Sequence, residues 1–381
     1  MKMAYVVPRY GQEVLGGAES AARNLAERLA RLPGWEVEIY TTCALDYLSW
    51  QNHYPPGDLD MDGVGVHRFE VTSGRDVEFG PFSGQVLFYS YAASDAEAEL
   101  WVDRQGPVSP ELVEAVAATE ADIVAFYPYQ YYPTVRSIEA VAERAVMHPA
   151  AHDDPPLYLP IFKQVFGSSA GFVFQTEGER DVVQRTFPIA SRPQVLLGMG
   201  VDETPEDFEA TGEGRRMLAL DDRPYLLCLG RVDDLKGSAV LTNMFAGYKE
   251  RHPGPLTLAM VGPVASRPME DPREDIVMAG AVDESTKWDL LHGAVALVSP
   301  SAYESFSLAI MEAWTAGLPV IVNACCQATR ESCERSGGGL WFRGYAQFEA
   351  VLDRVLSDAR LRDILAERGR RYVDTNFRWP V

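Results

Sequence analysis

Short apolar runs of strand type alternate along this chain with segments of helical period. In the first half the pattern predicts strands near Ala4–Val7, Glu36–Thr41, Val64–Phe69, Ile123–Phe126, Ala145–Met147, Gly171–Phe174 and Gln194–Leu196. Helices are predicted near Ala18–Arg31, Pro110–Ala118, Tyr158–Phe166 and Glu177–Arg185. Residues 201–222 are polar, acidic and Gly-containing and read as a linker region. A second alternating series follows at Tyr225–Leu229, Leu256–Val261, Ile276–Met278, Ala294–Val298 and Val320–Val322. Apolar strands alternating with helices predict parallel α/β sheets. The expectation is two doubly wound, Rossmann-like domains, residues 1–200 and 223–381, with ligands at the carboxyl ends of strands and between the domains. The stretch from Tyr47 to Ala96, rich in turns and aromatics, yields no assignment.

Composition narrows the classes. The 381 residues carry 34 Lys and Arg against 55 Asp and Glu, a net charge of −21. That argues against nucleic acid and against broad adhesion to anionic lipid. No apolar run reaches the length of a membrane span. The first apolar run, Ala4 to Val7, is too short for a secretory signal. Cys43, Cys228, Cys325, Cys326 and Cys333 are odd in number and fit no zinc spacing, so reduced thiols in the cytosol are expected. The carboxylate clusters at 58–62, 153, 221 and 233 resemble metal sites only superficially, and no metal is expected.

Candidate chemistry concentrates between Ser301 and Val320. Glu304 lies in a polar loop and Glu312 lies eight positions on, inside an otherwise apolar helical segment, Leu308 to Ala316. A charge in a buried helix is costly unless paired, so a polar partner for Glu312 is expected. Ser305 or Ser307 can cap the helix. The backbone N–H groups of Phe306, Ser307 and Leu308 would then offer an anion site at the helix N-terminus. A diphosphate site flanked by two carboxylates suits a sugar nucleotide.

Three other loops leave strand ends. Gly230 to Gly237 brings two cations, Arg231 and Lys236, to the end of the first strand of the second half, with Gly230 allowing a close backbone turn. Gly16 and Gly17 precede a helix, with Glu19 in its first turn, and let a ligand approach the backbone. The full dinucleotide fingerprint is absent there, which disfavours an NAD-dependent dehydrogenase. His148 to Pro156 places His152 beside Asp153, which can orient it toward a sugar hydroxyl or phosphate. Tyr129 and Tyr131 in an aromatic loop can stack on a sugar.

Taken together, Gly-Gly-Ala-Glu at 16–19, His-Asp at 152–153, Gly-Val-Asp at 200–202, Gly-Arg and Lys-Gly at 230–237, and Glu304 with Glu312 resemble family 4 of the retaining glycosyltransferases, the glycosyl transferases group 1. The resemblance covers nearly the whole chain. It implies the GT-B fold, with the two domains facing each other across a cleft. It also implies transfer of a hexose from a nucleotide-sugar co-substrate, such as a UDP- or GDP-sugar, with retention and without a metal or other cofactor. The acceptor would be a saccharide or a lipid-linked molecule in glycan or polysaccharide biosynthesis, in the cytoplasm, with a peripheral membrane contact where the acceptor is lipid-linked.

By that resemblance Arg231 and Lys236 neutralise the departing diphosphate, and the amides of Phe306, Ser307 and Leu308 hold its oxygens. Glu304 contacts the donor sugar, Glu312 the ribose, and His152 the sugar near its reacting face. Gly16 and Gly17 line the diphosphate and acceptor side, while Glu19, Tyr129, Tyr131 and Asp153 fall to the acceptor. Ser307 stands where the family often has glycine. The sequence ends at Asn376–Val381, where the family begins a final helix that returns to the first domain, so a truncated chain or further domains of a longer one are expected. A sugar-nucleotide epimerase of the same fold and a non-catalytic nucleotide-sugar-binding module are the alternative readings.

Overall fold

The computed structural model describes residues 1–14, 16–205, 208–266, 268 and 273–379. The chain forms two compact units, Met1–Gly198 and Met199–Val381. Each is built on one sheet whose central strands are apolar on both faces. In β1 (Lys2–Val6), Ala4 and Val6 enter one core cluster while Met3 and Tyr5 enter another. Successive side chains point to opposite faces of a strand. A strand covered on both faces therefore reads as a continuous apolar run.

In the first unit β1 is joined by β2 (Glu36–Thr42), β3 (Gly57–Met61), β4 (Val64–Phe69), β5 (Ile123–Phe126), β6 (Ala145–Met147), β7 (Gly171–Phe174) and β8 (Gln194–Leu196). Their order is β3-β4-β2-β1-β5-β6-β7-β8, parallel except for the antiparallel β3–β4 pair at one edge. β3 lies in the stretch that sequence pattern left unassigned. Its residues Asp58, Leu59 and Asp60 are exposed, so it carries no buried face to betray it.

The second unit contains β9 (Tyr225–Leu229), β10 (Thr257–Val261), β11 (Ile276–Gly280), β12 (Ala296–Ser299), β13 (Val320–Asn323) and β14 (Gly339–Phe342). All pair in parallel, in the order β11-β10-β9-β12-β13-β14. Strand order reverses direction at β1 in the first sheet and at β9 in the second. Such switch points leave a crevice beyond the carboxyl ends of the strands.

Residues 201–222 lie in the second unit. Val201, Leu218 and Leu220 join its core, and Glu213–Met217 is helical. The helix Leu308–Thr315 is held by Trp314, fully buried, whose indole N–H donates to the Gly338 carbonyl at 2.9 Å. Gly369, in the helix Ala359–Asn376, lies against that indole. A Cβ there would come within 2.1 Å of a ring carbon, so the two helices touch only because this position has no side chain. After that helix the chain returns to the start of the unit, where the Val201 N–H donates to the Phe377 carbonyl at 2.7 Å. Pro380 and Val381, part of the terminal segment singled out above, lie outside the described residues. Among the described residues no helix is long and apolar enough to cross a membrane.

Candidate functional site

The loop Gly230–Gly237 leaves the carboxyl end of β9, beside the switch point. Gly230 (φ 132°) and Gly262 (φ 143°), at the ends of β9 and β10, press together, and a Cβ on Gly262 would sit 2.0 Å from the Gly230 carbonyl oxygen. Only glycine satisfies both the dihedral and the contact. Asp233 then organises the loop. Its carboxylate accepts from the Arg231 guanidinium and, at 2.7 Å, from the Lys236 backbone N–H, while its own N–H donates to Ser238 Oγ. The loop thereby directs Lys236 toward the end of β12.

There Lys236 Nζ meets Glu304 Oε1 at 2.7 Å. The loop bearing Glu304 is fixed from three sides. Asn323 Nδ2 donates to the Pro300 carbonyl at 2.9 Å, and Cys326 Sγ lies 3.8 Å from the Glu304 carbonyl. Phe306, buried, packs edge-on against Phe377 at 5.0 Å. Among the described residues no hydrogen bond engages the amides of Phe306, Ser307 and Leu308 at the head of the helix. The structure thus joins Lys236 to Glu304 across the ends of β9 and β12, with Arg231 held by Asp233 on the same loop as Lys236 and the three amides following Glu304 in the chain.

Neither Ser305 nor Ser307 caps this helix with its side chain, a correction to the sequence reading. Ser307 occupies the N-cap position in the left-handed region, φ 73° and ψ 86°. That geometry suits glycine and turns the hydroxyl away from capping geometry. Left-handed backbone costs a non-glycine residue about 1–2 kcal/mol. Ser307→Gly should accordingly raise stability by about 0.5–1 kcal/mol. Ser307→Val should lower it by about 2 kcal/mol, since a β-branched residue is least tolerant of positive φ. Urea denaturation of the two variants checks the order, and equal midpoints would contradict it.

The partner that Glu312 requires is Lys287, on the helix Glu284–Gly293, with Nζ 2.8 Å from Oε1. Glu284 completes a trio with Lys287 at 2.7 Å. The Lys287 and Glu312 side chains are 15% and 22% exposed, so the pair is largely withdrawn from water. Burial holds the Glu312 carboxyl above the usual carboxylate range, opposed by Lys287. Burial pulls the Lys287 ammonium down, but Glu312 and Glu284 outweigh it and leave it raised. Sequence reading missed Lys287 because it sits 25 residues away and meets Glu312 only through tertiary packing.

In the first unit, Gly16 is the N-cap of the helix Gly17–Ala30, and Gly17 has open space where a Cβ would stand. Glu19 is paired with buried Arg9, whose guanidinium also donates to the Leu45 carbonyl at 2.9 Å. The loop after β6 separates its two histidines. His148 is 8% exposed, with Tyr5 and Tyr127 rings 6.2 and 5.5 Å away, and burial pulls its pKa down to about 4. His152 is partly exposed, with Nδ1 3.8 Å from Asp154 Oδ2. Asp153, expected to orient His152, instead pairs with Arg185 at 3.5 Å and accepts from the Tyr158 hydroxyl. The turn at Pro155 directs the second aspartate, not the first, back to the imidazole.

Tyr129 is also corrected. It is 2% exposed, with its ring on Phe162 and Phe166, so it belongs to the core and offers no face to a ligand. Tyr131 packs edge-on against Trp50. A further residue escaped sequence reading. Glu179, 2% exposed, accepts the Ala151 N–H at 2.9 Å and the Gln175 N–H at 2.7 Å. Burial pushes its carboxyl up to about 7, opposed by those amides and by His152.

His148 and Glu179 give stability opposite pH slopes. Unfolding lets His148 take a proton that the folded chain refuses, so its contribution falls as pH drops from about 6.5 to about 4. Glu179 holds a proton that the unfolded chain gives up, so its contribution falls as pH rises from 4.5 to about 7. Each is worth about 3 kcal/mol, and they largely cancel where the windows overlap. In His148→Phe the Glu179 slope should stand alone, with stability falling by about 3 kcal/mol across its window. A pH series of urea melts parallel to wild type would contradict this.

Residues 213–372 match the family model for glycosyl transferases group 1. An uncharacterized glycosyltransferase of Methanocaldococcus jannaschii is 23% identical over 100% of this chain and 95% of its own length. Sucrose-phosphate synthase from Thermosynechococcus elongatus superposes with TM-score 0.72 at 17% identity, covering 99% of this chain and 95% of that one. Anabaena HepE in complex with UDP and glucose gives TM-score 0.69 at 16% identity, covering 99% and 96%. At such identity the two structures establish the fold, GT-B with Rossmann-like sheets. Fold and matched domain agree: residues 213–372 belong to the glycosyl transferases of group 1, within a chain of GT-B fold.

Proposed function

We propose that this glycosyltransferase moves a hexose from a nucleotide-sugar donor to a saccharide or lipid-linked acceptor, with retention of anomeric configuration and without a metal. The observation that carries the reading is the Lys236–Glu304 pair at the ends of β9 and β12, beside the unengaged amides of the helix Leu308–Thr315. A donor diphosphate supplies the negative charge that Lys236, Arg231 and those amides would receive. Glu304, released from Lys236, would then accept from sugar hydroxyls, and Glu312 from the ribose. The HepE complexes with UDP and with UDP-glucose support a uridine donor. Five free cysteines support a reducing, cytoplasmic setting.

In the transfer step the bond between the anomeric carbon and the diphosphate oxygen breaks, and its electron pair leaves on that oxygen. The acceptor hydroxyl oxygen bonds to the anomeric carbon on the same face, and its proton passes to the departing phosphate. Lys236 and Arg231 stabilise the charge as it develops, and such preorganised donors contribute roughly 2–4 kcal/mol each. The first unit is assigned the acceptor, with Gly16, Gly17, Glu19, Tyr131 and Asp153 on that side and His152 serving the reacting sugar. Proton NMR of the product formed in EDTA tests the reading. The product should keep the donor's anomeric configuration; an inverted product, or transfer abolished by EDTA, would overturn it.

A further inference from the structure

The Glu179 carboxylate bonds two strand exits at once, and that double attachment is unexplained by the helix it begins. The helix Glu177–Thr186 already has a cap, since Thr176 Oγ1 accepts the Glu179 N–H at 3.2 Å. Its side chain reaches instead to Ala151, on the loop after β6, and to Gln175, at the end of β7. A buried carboxylate is costly, and a neutral side chain could fill the same space. The loop it grips is itself strained. Ala150 has φ 51°, a left-handed conformation that persists where surroundings over-determine it. His148 turns inward to the core from the start of this loop, and His152 lies one residue beyond the gripped amide.

We propose that Glu179 is a positioning residue for sugar transfer, its carboxylate fixing the loop backbone from which His152 projects. The proposal rests on the reading above, in which His152 serves the reacting sugar. The two carboxylate oxygens match two backbone donors from different loops, so the loop has one register against β7. Burial strengthens both bonds and also raises the cost of breaking either. The titratable groups whose charge couples to this carboxylate are His152, on the loop after β6, and Tyr127, just beyond β5.

Glu179→Gln keeps the shape but turns an amide NH2 toward one of the two N–H groups. Loosening a catalytic loop by about 1 Å costs on the order of 100-fold in rate. Steady-state kinetics should show kcat reduced by about 10–100-fold, donor KM within twofold of wild type, and the nucleotide-sugar thermal shift retained, because Lys236, Glu304 and Glu312, assigned the diphosphate, sugar and ribose, lie in the other unit and are untouched. Glu179→Asp, which keeps a carboxyl group on a side chain one methylene shorter, should recover part of the loss. Wild-type kcat in Glu179→Gln overturns the proposal, as does an equal loss of kcat and donor affinity. If the glutamine variant does not fold, the aspartate variant decides by the same split: reduced kcat at unchanged donor KM supports it, and unchanged kcat overturns it. Wild-type protein that turns over no nucleotide sugar overturns the underlying reading as well, which separates the two failures.

Discussion

Lys236→Ala should lower kcat/KM for the nucleotide sugar by about 10²–10³-fold, the loss of one preorganised donor to a developing oxyanion. The effect follows from placement. Asp233 fixes the Lys236 backbone, and the ammonium stands 2.7 Å from Glu304 at the strand-end crevice. Folding should change little, because the pair is partly exposed and such pairs contribute about 0–1 kcal/mol. Lys236→Arg should recover only part of the rate, since a planar guanidinium does not replace a compact ammonium at a fixed point. Initial rates with thermal melts of each variant check this. Near wild-type turnover in Lys236→Ala would remove leaving-group stabilisation from the account.

Glu312→Ala should cost both donor binding and stability. Removing the carboxylate leaves the Lys287 ammonium, 15% exposed, with the exposed Glu284 as its remaining ion-pair partner among the described residues. Stranding one partner of a buried pair costs about 3–5 kcal/mol, toward the lower end here because Glu284 remains. Replacing both, as Glu312→Leu with Lys287→Met, should restore most of that stability. Donor affinity should stay lost in the double variant, because no carboxylate remains for the ribose. Melting temperature and donor Kd across the cycle separate the two effects. A double variant that binds donor as wild type does would show that the pair is purely structural.

Much of this molecule was legible in the sequence for a physical reason. Strands of parallel sheets are buried on both faces, so β1, β5, β9 and β12 announce themselves as apolar runs. β3 is exposed along its length and β14 lies at a sheet edge, and neither was read. Glycine at 230 and the cations at 231 and 236 were visible as a loop motif, and Glu312 was visible as a charge among apolar residues. Their partners were not. Lys287 reaches Glu312 and Glu179 reaches Ala151 through contacts set by tertiary packing, and local spacing carries no trace of them. Tyr129 shows the converse, since an aromatic in a strand-end loop reads as a ligand platform until packing places it against Phe162.

The central claim is that the second unit binds a nucleotide sugar at the ends of β9 and β12. A thermal-shift panel of UDP-, GDP-, ADP- and TDP-sugars tests it most directly, because a ligand that binds only the folded chain raises its melting temperature by mass action. The account predicts that one nucleotide class raises the melting temperature of wild type and fails to do so with Lys236→Ala combined with Glu312→Leu and Lys287→Met. No shift with any nucleotide sugar, or an equal shift in that variant, would contradict it.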